Sequence, residues 1–220
     1  MKITYYGNSG FALRTDRRLL IFDYPGEGMN PPGKEDNAIA FVSHVHADHF
    51  WYPIVRWKQD ERVVLVTSHD APAGNIVMHP GDRAEVEEVQ IEAFGSTDEG
   101  VSYLVSVDGM KIFHAGDFNL WHWKNEADED FIRAANEQFE EVLDTLRGRQ
   151  IDLAFFPVDP RMGEGHEEGA MRFIEAMKPK IFIPMHFWGQ PEAAEAMKEK
   201  ELPEGVHVIV MTREGKTIDI

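Results

Sequence analysis

Short apolar or alternating runs bounded by turn residues recur through the first half of the chain, at residues 3–6, 11–13, 19–22, 39–42 and 63–67, and this spacing predicts strands. The same pattern extends to residues 84–94, then to 101–107 and 111–113. Asp108-Gly109 joins the last two, and because both residues tolerate positive φ the dipeptide predicts a hairpin. From residue 128 to 147 the period changes. Phe131, Ile132, Ala135, Phe139, Val142, Leu143 and Leu146 recur every three or four positions, which puts an apolar stripe on one face of a long helix that Gly148 ends. Strands at 153–158 and 181–185 then alternate with helices at about 169–178 and 192–200, and strands at 206–211 and 217–220 close the chain. Strands first in meanders, then strands alternating with helices, predict an α/β (α+β) chain of two sheets with helices packed outside. Neither a repeat nor a linker interrupts the pattern, so residues 1–220 read as one domain. The irregular stretch 24–37, rich in Pro and Gly, reads as a surface loop, although binding loops share its composition.

A chain of 220 residues buries about 70% of its unfolded surface and holds its own core. It has no cysteine, which excludes disulfide frameworks, cysteine-ligated zinc, iron–sulfur clusters and thiol nucleophiles. Its 22 Lys and Arg against 39 Asp and Glu give a net charge of -17, a balance that disfavours long nucleic acids, since phosphate binding rests on clustered cations. Arg14, Asp16, Arg17 and Arg18 arrive before a signal-peptide core can form, and no apolar run reaches membrane-spanning length. The expectation is a soluble, cytoplasmic protein with a small-molecule substrate and no membrane partner.

Directly after the apolar strand at 39–42 stands Ser43-His44-Val45-His46-Ala47-Asp48-His49, three imidazoles and a carboxylate within six residues. His44 and His46, two apart at an extended strand end, project to one side; Asp48 and His49 lie beyond the turn, where a helix is expected to start. Two ligand pairs then face two neighbouring points. Neutral imidazole and carboxylate suit zinc, manganese or iron, whereas a solvated polar loop has no need of this register. One strand end cannot complete a metal site. Further ligands are expected from Asp117 in His114-Ala115-Gly116-Asp117, where Gly116 allows close approach of backbone to an ion, and from His186 in Ile183-Pro184-Met185-His186.

The order H-x-H-x-D-H, then Gly-Asp after a strand, then Pro-Met-His near the end resembles the metallo-β-lactamase-fold hydrolases over nearly the whole chain. Ser96-Thr97-Asp98-Glu99-Gly100, His114 to Asn119, Asp159-Pro160-Arg161 and Ile183 to Trp188 resemble uncharacterised bacterial metal-dependent hydrolases, neighbours of the lactonases that open ascorbate 6-phosphate. The resemblance implies a four-layer αββα sandwich with a dinuclear metal site at one edge of the sheets. It places His44 and His46 on the first metal, Asp48 and His49 on the second, Asp117 between both, and His186 on the second. The family's third histidine for the first metal comes from a Gly-His-Thr stretch, and here Ser96 of Gly95-Ser96-Thr97 stands in its place. A serine hydroxyl is a much poorer ligand than imidazole, so the first position is expected to bind more weakly unless Asp98 or a water compensates. The expected cofactor is one or two divalent ions, Zn or Mn ahead of Fe.

On this reading, cations make hydroxide available near neutral pH for attack on a carbonyl or phosphoryl centre, and Asp48 or a bound water returns the proton to the leaving group. His166, between a strand and a helix, is a second candidate for proton transfer or for binding an anionic substrate. Gly163, Gly165 and Gly169 do not make a phosphate cradle, because Glu164, Glu167 and Glu168 interleave them. His69 and His122 are candidate rim residues, and His79 and His207 structural ones. Large aromatics follow each ligand group, among them Trp51, Trp121 and Trp188, and predict an aromatic-walled pocket for a flat, sugar-like or partly apolar substrate; packing beneath the loops is the competing expectation. The function expected first is hydrolysis of a small ester, lactone or amide. A small phosphodiesterase, a non-catalytic metal-binding or sensor protein, and an oxygen-reactive di-iron protein are the rival readings. Gly7-Asn8-Ser9-Gly10 lacks the serine-hydrolase spacing.

Overall fold

The computed structural model describes residues 1–26, 32–33 and 36–220. Residues 27–31 and 34–35 of the 24–37 loop lie outside the described residues. The strands are β1 (Lys2–Gly7), β2 (Gly10–Arg14), β3 (Leu19–Phe22), β4 (Ala38–Val42), β5 (Val63–Ser68), β6 (Ile76–Met78) and β7 (Arg83–Val86). They continue with β8 (Val89–Phe94), β9 (Ser102–Val107), β10 (Met110–His114), β11 (Leu153–Pro157), β12 (Ile181–Met185), β13 (His207–Val208) and β14 (Thr217–Asp219). Two seven-stranded sheets result, ordered β14-β1-β2-β3-β4-β5-β6 and β13-β12-β11-β10-β9-β8-β7. In each sheet an antiparallel part gives way to a parallel one, β3 to β6 in the first and β10 to β13 in the second.

Alternation within β4 shows how the layers form. Ile39 and Phe41 enter the core between the sheets, whereas Ala38, Ala40 and Val42 line the opposite face. Between the sheets Phe11 meets Phe155 at 4.2 Å and Phe41 meets Tyr103 at 5.3 Å, centroid to centroid. The outer face of the first sheet is covered by a 3₁₀ helix at Tyr52–Gln59, through Ile54 and Trp57. The outer face of the second carries α1 (Glu129–Leu146) and α2 (Glu168–Met177), where Phe139 packs on Phe118 and Phe173 on Phe113 and Phe156. This is the expected αββα sandwich, with its first helical layer wound as 3₁₀.

Several expectations change in detail. Residues 84–94 fold as a hairpin, because Glu87 and Glu88 adopt φ of 51° and 69° and turn the chain without a glycine. No α-helix starts at Asp48: a turn in which His46 carbonyl accepts from both His49 and Phe50 N–H groups delays helical geometry to Tyr52–Gln59, where Pro53 occupies the first turn. β6 has only three residues, too short to read as a pattern. The helix expected at 192–200 is α3 (Pro191–Ala196) followed by a 3₁₀ turn at Met197–Glu199. On α1 Ala135, Phe139, Leu143 and Leu146 are buried, but Phe131, in the first turn, is 50% exposed and lines a hollow with Trp121. Among the described residues no helix is long and apolar enough to cross a membrane.

Phe155 joins the two sheets, touching Phe11, Phe22 and His114. Phe155→Ala is therefore expected to cost about 3–5 kcal/mol of stability. Urea denaturation measures it, and a loss below about 1 kcal/mol contradicts this account of the core.

Candidate metal centre

The parallel strands deliver their C-terminal ends to one edge of the sandwich, the usual place for a site in such sheets. β3 ends before Asp23, β4 before Ser43 to His49, β10 before Asp117, β11 before Asp159 and β12 before His186. Two groups of side chains converge there: His44, His46 and Asp117, and Asp48, His49 and His186, each with potential ligand atoms within 4.8 Å of one another. Asp117 faces both. Its Oδ2 lies 3.4 Å from His44 Nε2, while its Oδ1 lies 3.1 Å from His49 Nε2 and 3.4 Å from His186 Nε2. Asp48 Oδ2 stands 3.3 Å from His49 Nε2 and 3.4 Å from His186 Nε2.

A layer of partners behind the imidazoles sets their tautomers. Ser43 hydroxyl donates to Asp23 Oδ2 at 2.6 Å and so accepts His44 Nδ1–H at 2.9 Å. His49 Nδ1–H donates to Asp23 Oδ2 at 2.7 Å, and His186 Nδ1–H to Asp159 Oδ2 at 3.1 Å. All three Nε2 lone pairs are thereby aimed inward. Within the protein, His44 Nε2, His49 Nε2 and Asp117 Oδ1 are buried without a hydrogen-bond partner. Orphaned acceptors of this kind are costly unless something electropositive sits among them. The donor set, imidazole and carboxylate, fits a divalent cation.

The charges tell the same story. Burial opposes ionisation of Asp117, yet His49 and His186 hold its carboxyl well below the ordinary range. Asp48 is lowered too, against its burial, by His186 and His49. Burial also disfavours the imidazolium of His49, and Asp117 and Asp23 overcome it; His186 is raised by Asp117, Asp159 and Asp48 in the same way. The site attracts positive charge, and a proton and a metal compete for it.

Backbone strain holds the ends in place. His186 and Asp23 have φ of 61° and 42°, unusual for residues with a Cβ. His186 N–H is tied to Asn8 carbonyl at 3.1 Å, and Asn8 Nδ2 donates to Asp48 Oδ2 at 2.7 Å. Gly116, expected to let backbone approach an ion, instead permits contact with Ser43: a Cβ there would meet Ser43 Cβ at 2.7 Å.

Asp98 lies beside the first group. Burial and then Asp117 raise its carboxyl pKa, while His46 and His44 pull it down. Ser96 Oγ accepts the Asp98 N–H at 3.3 Å and serves the turn. A cavity of about 250 Å³ opens beside the cluster between Asp98, Asp117, Trp121, Trp123, Phe131 and Arg161. Trp121 and Trp188 flank His186 at 5.9 and 5.5 Å, centroid to centroid. Trp51 is not brought to this cavity; it packs edge-on against Tyr24 behind the first sheet. His166 also lies apart from the cluster in its contacts, with Nδ1–H donating to Gly163 carbonyl and Glu167 3.6 Å away. His122 is buried and donates to Gly165 carbonyl, His69 stacks on His79, and His207 lies in β13.

Asp23, Asp159, Ser43 and Asn8 carry no role in the sequence reading. For Asp23 the signal was present, since it follows an apolar strand just as Asp117 does.

Comparison with known proteins places the chain in a family and supports the fold. The family model described as "Beta-lactamase superfamily domain" matches residues 2–134, and the chain belongs to that superfamily. A UPF0173 metal-dependent hydrolase from Thermococcus onnurineus is 25% identical, with 100% of both chains covered. Among solved structures, Igni18, a metallo hydrolase from Ignicoccus hospitalis, superposes with a TM-score of 0.66 at 16% identity, covering 100% of this chain and 98% of the other. The metallo-β-lactamase-fold protein YhfI from Bacillus subtilis gives a TM-score of 0.63 at 14% identity, with 99% and 98% covered.

Two outcomes follow. Asp23→Asn keeps the shape but weakens the acceptor behind His49, and is expected to lower metal affinity by about 10–100-fold, read by competition with a chromogenic chelator. Without metal, the raised values of His49 and His186 contribute stability that is complete below the unfolded value of 6.5 and is lost as pH rises through their folded values. Thermal unfolding in chelator is thus expected at lower temperature at pH 9 than at pH 7, while added zinc stabilises more at pH 9. A metal effect that shrinks with rising pH contradicts the assignment.

Proposed function

We propose that the chain is a metal-dependent hydrolase of a small ester, lactone or amide, using His44, His46, Asp48, His49, Asp117 and His186 to hold one or two divalent ions, zinc or manganese. The observation that carries this reading is Asp117, whose two oxygens address the two ligand groups while unpartnered Nε2 atoms converge on it. The names of relatives such as the Thermococcus onnurineus metal-dependent hydrolase support it. Ions held there lower the pKa of coordinated water and polarise a carbonyl oxygen.

The chain's own residues supply the rest. Asp48, at 26% side-chain exposure, is the most open of the carboxylates facing His49 and His186, and it takes the proton from the attacking water and returns it to the leaving oxygen or nitrogen. Asn8 fixes Asp48 by donating to Oδ2, leaving Oδ1 for that transfer. Asp98, whose carboxyl feels His46 and His44, compensates for the imidazole that Ser96 replaces. Trp121 holds the Asp117 segment through a 2.8 Å bond from Nε1 to Asp117 carbonyl and forms one wall of the cavity. Burial of His44, His49, Asp117 and His186 and the adjoining aromatic walls limit competing water.

Metal analysis and turnover of 4-nitrophenyl acetate test this together. The zinc- or manganese-loaded protein is expected to hydrolyse the ester, and His186→Ala to lose both bound metal and turnover. Full metal content in that variant removes His186 from the site; metal binding without hydrolysis of this ester or of bis-p-nitrophenyl phosphate leaves a binding protein rather than an enzyme.

A further inference from the structure

The cavity beside the cluster has one feature that hydrolysis alone does not require. Arg161 is the one Lys or Arg among the described residues that line it. In a chain with a charge of -17, a guanidinium at this place is a choice of chemistry. Its position is fixed from two sides. Nε donates to both oxygens of Asp159 at 3.0 Å, Nη2 donates to Oδ2 at 2.5 Å, and the guanidinium carbon lies 4.2 Å from the Trp188 ring centroid. These bonds leave Nη1 uncommitted, and the side chain is 43% exposed. A fork held by stacking and pairing gives up little entropy when it receives an anion.

The rest of the cavity narrows the class. The Trp121 and Trp123 rings stack at 6.3 Å and 17°, and Phe131 presents an exposed ring. A second hollow of about 180 Å³ shares Thr97, Trp121 and Phe131 with the first and continues over Ala134 and Ala135. Arg161 stands at one end beside Asp98 and Asp117, and the other end is apolar. With Nε and Nη2 committed to Asp159, Arg161 offers Nη1 alone, enough for one oxygen of a carboxylate; a phosphate dianion would bring a second negative charge beside Asp98 and Asp117.

We propose that the substrate carries a free carboxylate, separate from the scissile bond, which Arg161 receives while an apolar or flat body lies against Trp121 and Phe131. The inference rests on the hydrolase reading. Water adds across the acyl bond: the acyl carbon takes the hydroxyl, the leaving oxygen or nitrogen takes the proton, and the carboxylate on Arg161 is unchanged.

Binding and turnover test it separately. Tryptophan emission of the zinc-loaded protein is titrated with phenylacetate, phenylacetamide and phenyl phosphate. Phenylacetate is expected to give a saturable change, the amide none, and Arg161→Gln to raise its Kd by about tenfold or more, with Arg161→Lys between. In turnover, the ratio of kcat/KM for mono-4-nitrophenyl succinate over 4-nitrophenyl propionate is expected to fall about tenfold in Arg161→Gln. That ratio does not move if Arg161 merely braces Asp159 and His186, because such a loss reaches both esters alike. Equal affinities in wild type and Arg161→Gln, no binding of phenylacetate, or an unchanged ratio overturn the proposal, and tighter binding of phenyl phosphate overturns the choice of carboxylate. Arg161-dependent binding of phenylacetate with no ester hydrolysed by the wild type leaves recognition standing and removes the hydrolase reading instead.

Discussion

The direction of three protons governs the site. His44, His49 and His186 each give their Nδ1–H away, to Ser43, Asp23 and Asp159, and only then do three Nε2 lone pairs share one space with the oxygens of Asp117 and Asp48. Were those partners apolar, each imidazole would be free to turn or to change tautomer, and the same ligands would no longer be a site. Asp23 serves twice, since it orients His49 directly and His44 through the Ser43 hydroxyl. Its buried carboxylate stays ionised against its desolvation because His114 and His49 surround it. His114 itself is pushed down by burial, and its Nε2–H is spent on Ser9 carbonyl.

The sandwich makes this convergence possible. Phe11, Phe22, Phe41, Tyr103 and Phe155 clamp two sheets face to face, and parallel strands in both point their C-terminal ends the same way. Residues more than a hundred positions apart then meet at an edge where strands have ended and their side chains no longer have to alternate between two faces. The positive φ at Asp23 and His186 is the local cost, of order 1–3 kcal/mol each, offset by packing of the aromatic core beneath.

The converging side chains were legible because each stands just beyond an apolar strand, and strands are visible as patterns. What the pattern lacked was the second layer. Asp23 satisfies the same strand-end rule as Asp117, but a lone Asp before Tyr24-Pro25-Gly26 also reads as a turn. Asn8 and Asp159 act through residues 40 and 27 positions away, Asp48 and His186, contacts that no local spacing encodes. Trp51 follows its ligand group as closely as Trp121 does, yet the turn at His46 directs it behind the first sheet. Adjacency in sequence fixed a neighbourhood, and only the turn geometry chose the face.

The two ligand groups are unequal for a physical reason. Asp48, His49 and His186 are closed in by Asp23, Asp159 and Asn8, whereas His44 and Asp117 share their group with His46, an exposed imidazole, and with no third one. Ser96 Oγ accepts the Asp98 N–H, and the charges of His46 and His44 act on the Asp98 carboxyl. A carboxylate in place of an imidazole would add negative charge and hard oxygen to that group and shift its preference toward oxygen-loving ions. Asp117 directs one oxygen to each group, so the two groups are coupled through it. The asymmetry is thus carried by one shared carboxylate rather than by two independent sites.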